Sequence, residues 1–122
     1  FTGLDQSLAA LVKRLAQEYH LETESGLVGV KSFPHWGPVK DAEERIAQFV
    51  KNIENLSPGT YLFVEHPGLD VPEMQGIGHK GYEDVAADRA GVTRVLTSQA
   101  VRNAIMKKGV QLLSYKDLQQ HP

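Results

Sequence analysis

The stretch TYLFVEHPGLD, Thr60 to Asp70, opens as a buried strand does and then sets a carboxylate, an imidazole, a proline and a glycine in succession, Glu65 through Gly68. Thr60 to Val64 is rich in β-branched and aromatic side chains without strict alternation, the pattern of a strand covered on both faces. Pro67 disfavours the helical region at His66, and Gly68 permits a tight departure, so the chain is expected to turn directly behind the imidazole. The fold then depends on what flanks this strand.

Upstream, Ile46, Phe49, Val50, Ile53 and Leu56 share one helical face, while Glu43, Glu44, Arg45, Lys51 and Glu54 are assigned to the other. Acidic residues in the first turn suit the helix dipole, and SPGT ends the helix. Before it, GLVGVKSFPHWGP, Gly26 to Pro38, reads as a brief strand that becomes a loop. Leu4, Leu8, Leu11, Val12, Leu15 and Tyr19 form the apolar stripe of a first helix over about Asp5 to His20, which needs a partner surface. Downstream, a loop from Pro67 to about Gly81 precedes a helix in YEDVAADRAGVTRVL, weakened by Gly91. Ser98 is placed to cap a further helix carrying Val101 and Ile105, with Gly109 at its left-handed end. VQLLSY is expected as a last strand and KDLQ as a final half turn. Buried-type strands alternating with amphipathic helices predict an α/β fold, a parallel sheet with crossover helices.

A length of 122 residues fits one domain, and 13 basic against 15 acidic side chains, scattered along the chain, argue against nucleic acid or an anionic membrane as partner. No apolar run approaches the ~20 residues of a bilayer span. The absence of cysteine excludes thiol nucleophiles and thiolate metal sites; it suits the cytoplasm, slightly favoured, and an exported protein alike.

Ligands of parallel α/β folds gather at the carboxyl ends of strands, which is where His66 falls. An imidazole there can act as general acid or base, or bind a metal; the alternative is a histidine that only stabilises its turn. Glu65, pointing to the opposite face, is read as a structural ion pair or helix contact. His35 and Trp36 can line a cleft, the indole as a platform for a sugar ring, or Trp36 can pack against the second helix. Arg89 can reach a carboxylate across the cleft or stay a helix-surface residue. GIGHKG, Gly76 to Gly81, matches a dinucleotide fingerprint in letters but lacks the strand-to-helix context that gives the motif its mechanism. His79 is expected to face solvent, and His20 and His121 carry no signal.

LSPGTYLFVEHPGLD, then ADRAGVTRVLTS, then VRNAIMKKGVQLLSYKDL resemble in order the carboxyl-terminal half of the YdjC-like carbohydrate deacetylases, most closely from Leu56 to Leu118. The resemblance implies an irregular, TIM-like β/α barrel and a metal-dependent hydrolase that removes acetyl groups from N-acetylated sugars or oligosaccharides. In that family a late-strand histidine faces the site, and His66 matches it. The divalent metal, magnesium or zinc, is held in that family by an aspartate and two histidines of the amino-terminal half, and a neighbouring aspartate serves as base for the attacking water; none of these has a match here. The chain opens on Phe1, so it is expected to be the second half of such an enzyme, a single partial domain with its metal ligands upstream. Such a half is expected to expose an apolar sheet edge and either to misfold or to associate, a homo-oligomer being one form of association. Glu65 departs from the family, where an apolar residue is expected. A non-catalytic carbohydrate- or protein-binding domain on the same scaffold is the alternative.

Overall fold

Asp41 starts the central helix: its Oδ1 accepts from the amides of Glu43 (2.9 Å) and Glu44 (3.0 Å), satisfying donors that the first turn leaves free. In the computed structural model, which describes residues 6–21 and 29–118, this helix is α2, Ala42–Glu54. It joins two short parallel strands, β1 (Lys31–Ser32) and β2 (Tyr61–Leu62), with Lys31 opposite Tyr61 and Ser32 opposite Leu62. The chain continues through α3 (Pro72–Gln75), α4 (Val85–Thr97) and α5 (Gln99–Lys108). The fold is thus mixed α/β and mostly helical, with a parallel pair bridged by a crossover helix.

Two units can be distinguished. One, Lys31–Gln111, contains β1 through α5; the other, Phe1–Val30 with Leu112–Pro122, contains α1 (Gln6–Glu18) and α6 (Tyr115–Leu118). In the first unit, α4 and α5 both pack on α2. Phe33, Trp36, Phe49, Ile53, Val92, Val95, Val101 and Ala104 form the core, flanked by Tyr61, Phe63 and Ile105. Phe49 lies 4.9 Å from Phe33 and 5.0 Å from Phe63 between ring centroids, tilted contacts that suit the ring quadrupoles. In the other unit, Leu8, Leu11, Val12, Leu15 and Tyr19 are exposed; Leu4 and Asp5 lie outside the described residues.

Three expectations change. Val110 to Ser114 forms no strand: Gly109 adopts a left-handed conformation (φ 71°), and the Val110 amide turns back to the carbonyl of Ile105 (3.0 Å), closing α5. Ser114 then binds the Asp117 carboxylate through its amide and its hydroxyl, both at 2.7 Å, and α6 begins. An apolar run becomes a strand only where a partner edge receives it. Second, the strand after Thr60 is short and only half-buried on each face; just beyond it Phe63 packs on the core while Val64 is 52% exposed. Third, Ser98 occupies the N-cap of α5, but its hydroxyl makes no capping bond. Of the stretch Gly26 to Pro38, residues 26–28, and at the carboxyl end Gln119 and His121, lie outside the described residues.

Candidate functional site

The two parallel strands release their exits side by side. The Phe33 amide donates to the Leu62 carbonyl at 2.8 Å, and carrying the same register onward brings His35 opposite Glu65. With side chains alternating across a strand, Phe33 and His35 share a face with Phe63 and Glu65. His35 Nδ1 meets Glu65 Oε1 at 3.1 Å. The His35 ring lies 5.5 Å from Phe63 and 6.0 Å from Trp36, and the Asn52 side-chain amide on α2 donates to the carbonyls of Pro34 (2.9 Å) and His35 (3.2 Å). Glu65 thus meets His35 across the two strand exits, an ion pair when the imidazole is protonated, its side chain 18% exposed against 48% for His35, and its Oε2 accepts from the His66 amide at 3.2 Å.

His66 itself is exposed. Its turn is fastened to α4: the Gly68 amide donates to the Arg89 carbonyl (3.1 Å) and to Thr93 Oγ1 (3.0 Å), while the Thr93 hydroxyl approaches the Gly68 carbonyl at 2.6 Å. A Cβ on Gly68 would stand 3.0 Å from the Arg89 Cβ, so glycine serves close approach to the helix. Arg89 is half-buried with its Nε unpartnered, and its charge acts on the Tyr82 hydroxyl; among the described residues no bond joins its guanidinium to His66, His35 or Glu65. Trp36 is 7% exposed in the core, its ring 5.8 Å from Phe49, the packing against the second helix that its alternative reading described.

A second polar cluster joins α2 to α4. Arg45, assigned to the polar face of α2, is 4% exposed and ion-paired through Nη2 to Asp88 Oδ1. Its Nε donates to the Val39 carbonyl (2.7 Å), Nη1 to the Asp88 carbonyl (3.1 Å), and the guanidinium lies 5.5 Å from the Trp36 ring. Gly91, whose Cβ would stand 3.0 Å from Nη1, leaves room for it. The signal was in the spacing, since Arg45, Phe49 and Ile53 recur every four residues on the buried stripe. The Tyr82 hydroxyl donates to Asp88 Oδ2 at 2.7 Å. Burial opposes ionisation of Asp88, but hydrogen bonds from Tyr82 and Arg45, with the charges of Arg45 and Lys40, outweigh it and hold the carboxyl below its ordinary value. Tyr82 is raised above its ordinary value, first because it donates to Asp88, then by burial and the Asp88 charge, with Arg89 opposing. A cleft of about 350 Å³ lies over this cluster, bordered by Lys40, Tyr82, Asp84 and Asp88.

GIGHKG forms a turn in which His79 and Tyr82 exchange backbone bonds of 3.3 and 2.8 Å around a left-handed Gly81 (φ 91°), and His79 is exposed. The letters of the fingerprint therefore occur in a hairpin and not between a strand and a helix. Among the described residues no group of three or more histidine and carboxylate side chains is placed to hold a metal, and no helix is long and apolar enough to cross a membrane. No protein-family model matches the chain, and neither a curated protein nor a solved structure matches it.

Proposed function

We propose that this chain is the carboxyl-terminal part of an irregular, TIM-like β/α barrel in a carbohydrate deacetylase, with His66 as general acid. What supports the reading is the position of the exposed His66 just past the carboxyl end of β2, on a turn that Gly68 and Thr93 fasten to α4. Hydrolysis of an N-acetyl group passes through a tetrahedral oxyanion and ends with departure of an amine, which needs a proton. A protonated imidazole on a fixed backbone delivers that proton and can steady the oxyanion beforehand. The resemblance places the ligands of the divalent metal upstream of this chain, and among the described residues no group of three or more histidine and carboxylate side chains is placed to hold it.

In the full-length protein, His66→Ala is expected to lower kcat for acetate release from N-acetylated chitooligosaccharides by on the order of 10²-fold, with KM little changed. An unchanged kcat removes His66 from the mechanism. The second reading, a non-catalytic domain binding a carbohydrate or protein, draws on Val64, Leu69 and Ile77, which are 52%, 63% and 50% exposed near this turn in sequence. Saturable binding of the oligosaccharides without acetate release would favour it.

A further inference from the structure

The cleft of about 350 Å³ over the Arg45–Asp88 pair has walls of mixed chemistry, an aromatic ring beside side chains of both charges. We infer that it is a carbohydrate subsite, in which the Tyr82 ring is the platform for a neutral sugar unit and Lys40 and Asp84 are the donor and acceptor for its hydroxyls. The inference rests on the proposed carbohydrate reading for the N-acetylated kind of sugar, and on the cleft itself for the rest.

Both strand exits lead to this cleft. From the carboxyl end of β1 the chain reaches Lys40 just before Asp41 caps α2, and from that of β2 it passes the His66 turn and α3 to arrive at Asp84, the N-cap of α4. Segments of this kind are where ligands of parallel α/β folds gather. The volume falls at the lower end of the range for small-molecule sites, roughly 300–1,000 Å³, so the cleft suits a small ligand or one unit of a longer one.

The charges decide the ligand class. Arg45 and Asp88 are spent on each other, on two backbone carbonyls and on the Tyr82 hydroxyl. At the open side, Lys40 Nζ and Asp84 Oδ2 stand 3.4 Å apart with side chains 85% and 73% exposed, so a ligand reaches both without breaking a buried contact, and the Glu83 carboxylate is fixed by the Gly81 amide at 2.8 Å. A cation is repelled by Lys40 and an anion by Asp84 and Glu83, whereas a sugar hydroxyl donates to a carboxylate and accepts from an ammonium at once. Tyr82 supplies the apolar wall. Its side chain is anchored at the hydroxyl by Asp88 (2.7 Å) and at the backbone by the hairpin with His79, whose ring stands edge-on at 5.9 Å, and the residue stays 38% exposed. A ring fixed before the ligand arrives loses little freedom on binding, and its amphipathic face suits the C–H face of a pyranose.

Calorimetric titration of the full-length protein with N-acetylated chitotriose should show saturable binding. Asp84 makes no side-chain capping bond in α4, so Asp84→Ala leaves the helix start intact and should raise Kd about tenfold, the scale of a lost hydrogen bond to a charged group. Tyr82→Ala should raise it by about the same factor, and Tyr82→Phe, which keeps the ring, should bind more tightly than Tyr82→Ala. Wild-type affinity in either alanine variant overturns the subsite, as does a wild type that binds no trisaccharide. The two proposals fail separately. Acetate release lost in His66→Ala, with trisaccharide affinity unmoved by the cleft variants, keeps the general acid and discards the subsite. Affinity weakened by the cleft variants in a protein that releases no acetate keeps the subsite and discards the deacetylase.

Discussion

Arg45 is a charge taken out of water, and the surroundings of its guanidinium show what that requires. At 4% exposure it must recover its lost hydration from the Asp88 carboxylate, two backbone carbonyls and the face of Trp36. Removing the carboxylate strands the cation, so Asp88→Ala should destabilise the protein by about 3 kcal/mol, the lower end of the range for breaking a buried pair, because Asp88 keeps a third of its side chain in water. Urea unfolding at neutral pH measures it, and a loss within about 0.5 kcal/mol, the surface norm, would contradict the account. The pH dependence has a definite sign at both ends. A carboxyl lowered on folding contributes stability above its unfolded value of about 3.9, and that contribution is lost as pH falls through the folded value. Tyr82 is raised, so its contribution is complete below about 10 and is lost as pH rises through its folded value. Asp88→Asn should therefore flatten the acid side of the urea midpoint plotted against pH, and Tyr82→Phe the alkaline side. Curves parallel to the wild type in both variants would remove the cluster from the titration.

At the level of elements, the turn behind His66 owes its position to α4. The Thr93 hydroxyl sits between the Gly68 amide and carbonyl, so Thr93→Val, which keeps the shape and deletes the bonds, should cost about 1–3 kcal/mol. It should also speed amide exchange at Gly68 ahead of the helix cores; unaltered protection there would show that the turn is held by other means. Gly68→Ala tests the same contact from the opposite side, since the new methyl meets the Arg89 Cβ at 3.0 Å. These elements differ in how well the sequence announces them. The α2 stripe through Phe49 and Ile53 is plain because periodicity and burial coincide. The histidine exit is plain because proline and glycine constrain the backbone locally. Arg45 is hidden because its charge suggests solvent although its spacing places it with Phe49. Thr93 and Gly68 stand twenty-five residues apart, and no local rule pairs them. VQLL has the composition of a strand, but strand formation depends on an edge elsewhere in the molecule. The same dependence hides the His35–Glu65 contact, which exists only because β1 and β2 adopt one register out of several.

For the molecule as a whole, the distribution of buried side chains sets where stability resides. Every buried residue of the core, from Phe33 to Ala104, belongs to the unit Lys31–Gln111. A chain limited to residues 31–111 should therefore keep the aromatic near-ultraviolet dichroism of Trp36 and the phenylalanine cluster and unfold in a single transition. At roughly eighty residues it is near the size where one core is just sufficient, and an overall stability of about 4–8 kcal/mol is the scale to expect. Against that figure, Phe49→Ala, which removes the ring between Phe33 and Phe63, costs about 3–5 kcal/mol and should leave the shortened chain largely unfolded near 37 °C. The experiment separates two accounts of the core. If the shortened chain melts without cooperativity and loses its near-ultraviolet signal, residues outside it supply indispensable burial, and the aromatic cluster is insufficient as a nucleus of stability. If it melts cooperatively and Phe49→Ala abolishes the transition, the crossover helix and its two strands form a platform that holds His35, Glu65 and His66 in place on its own.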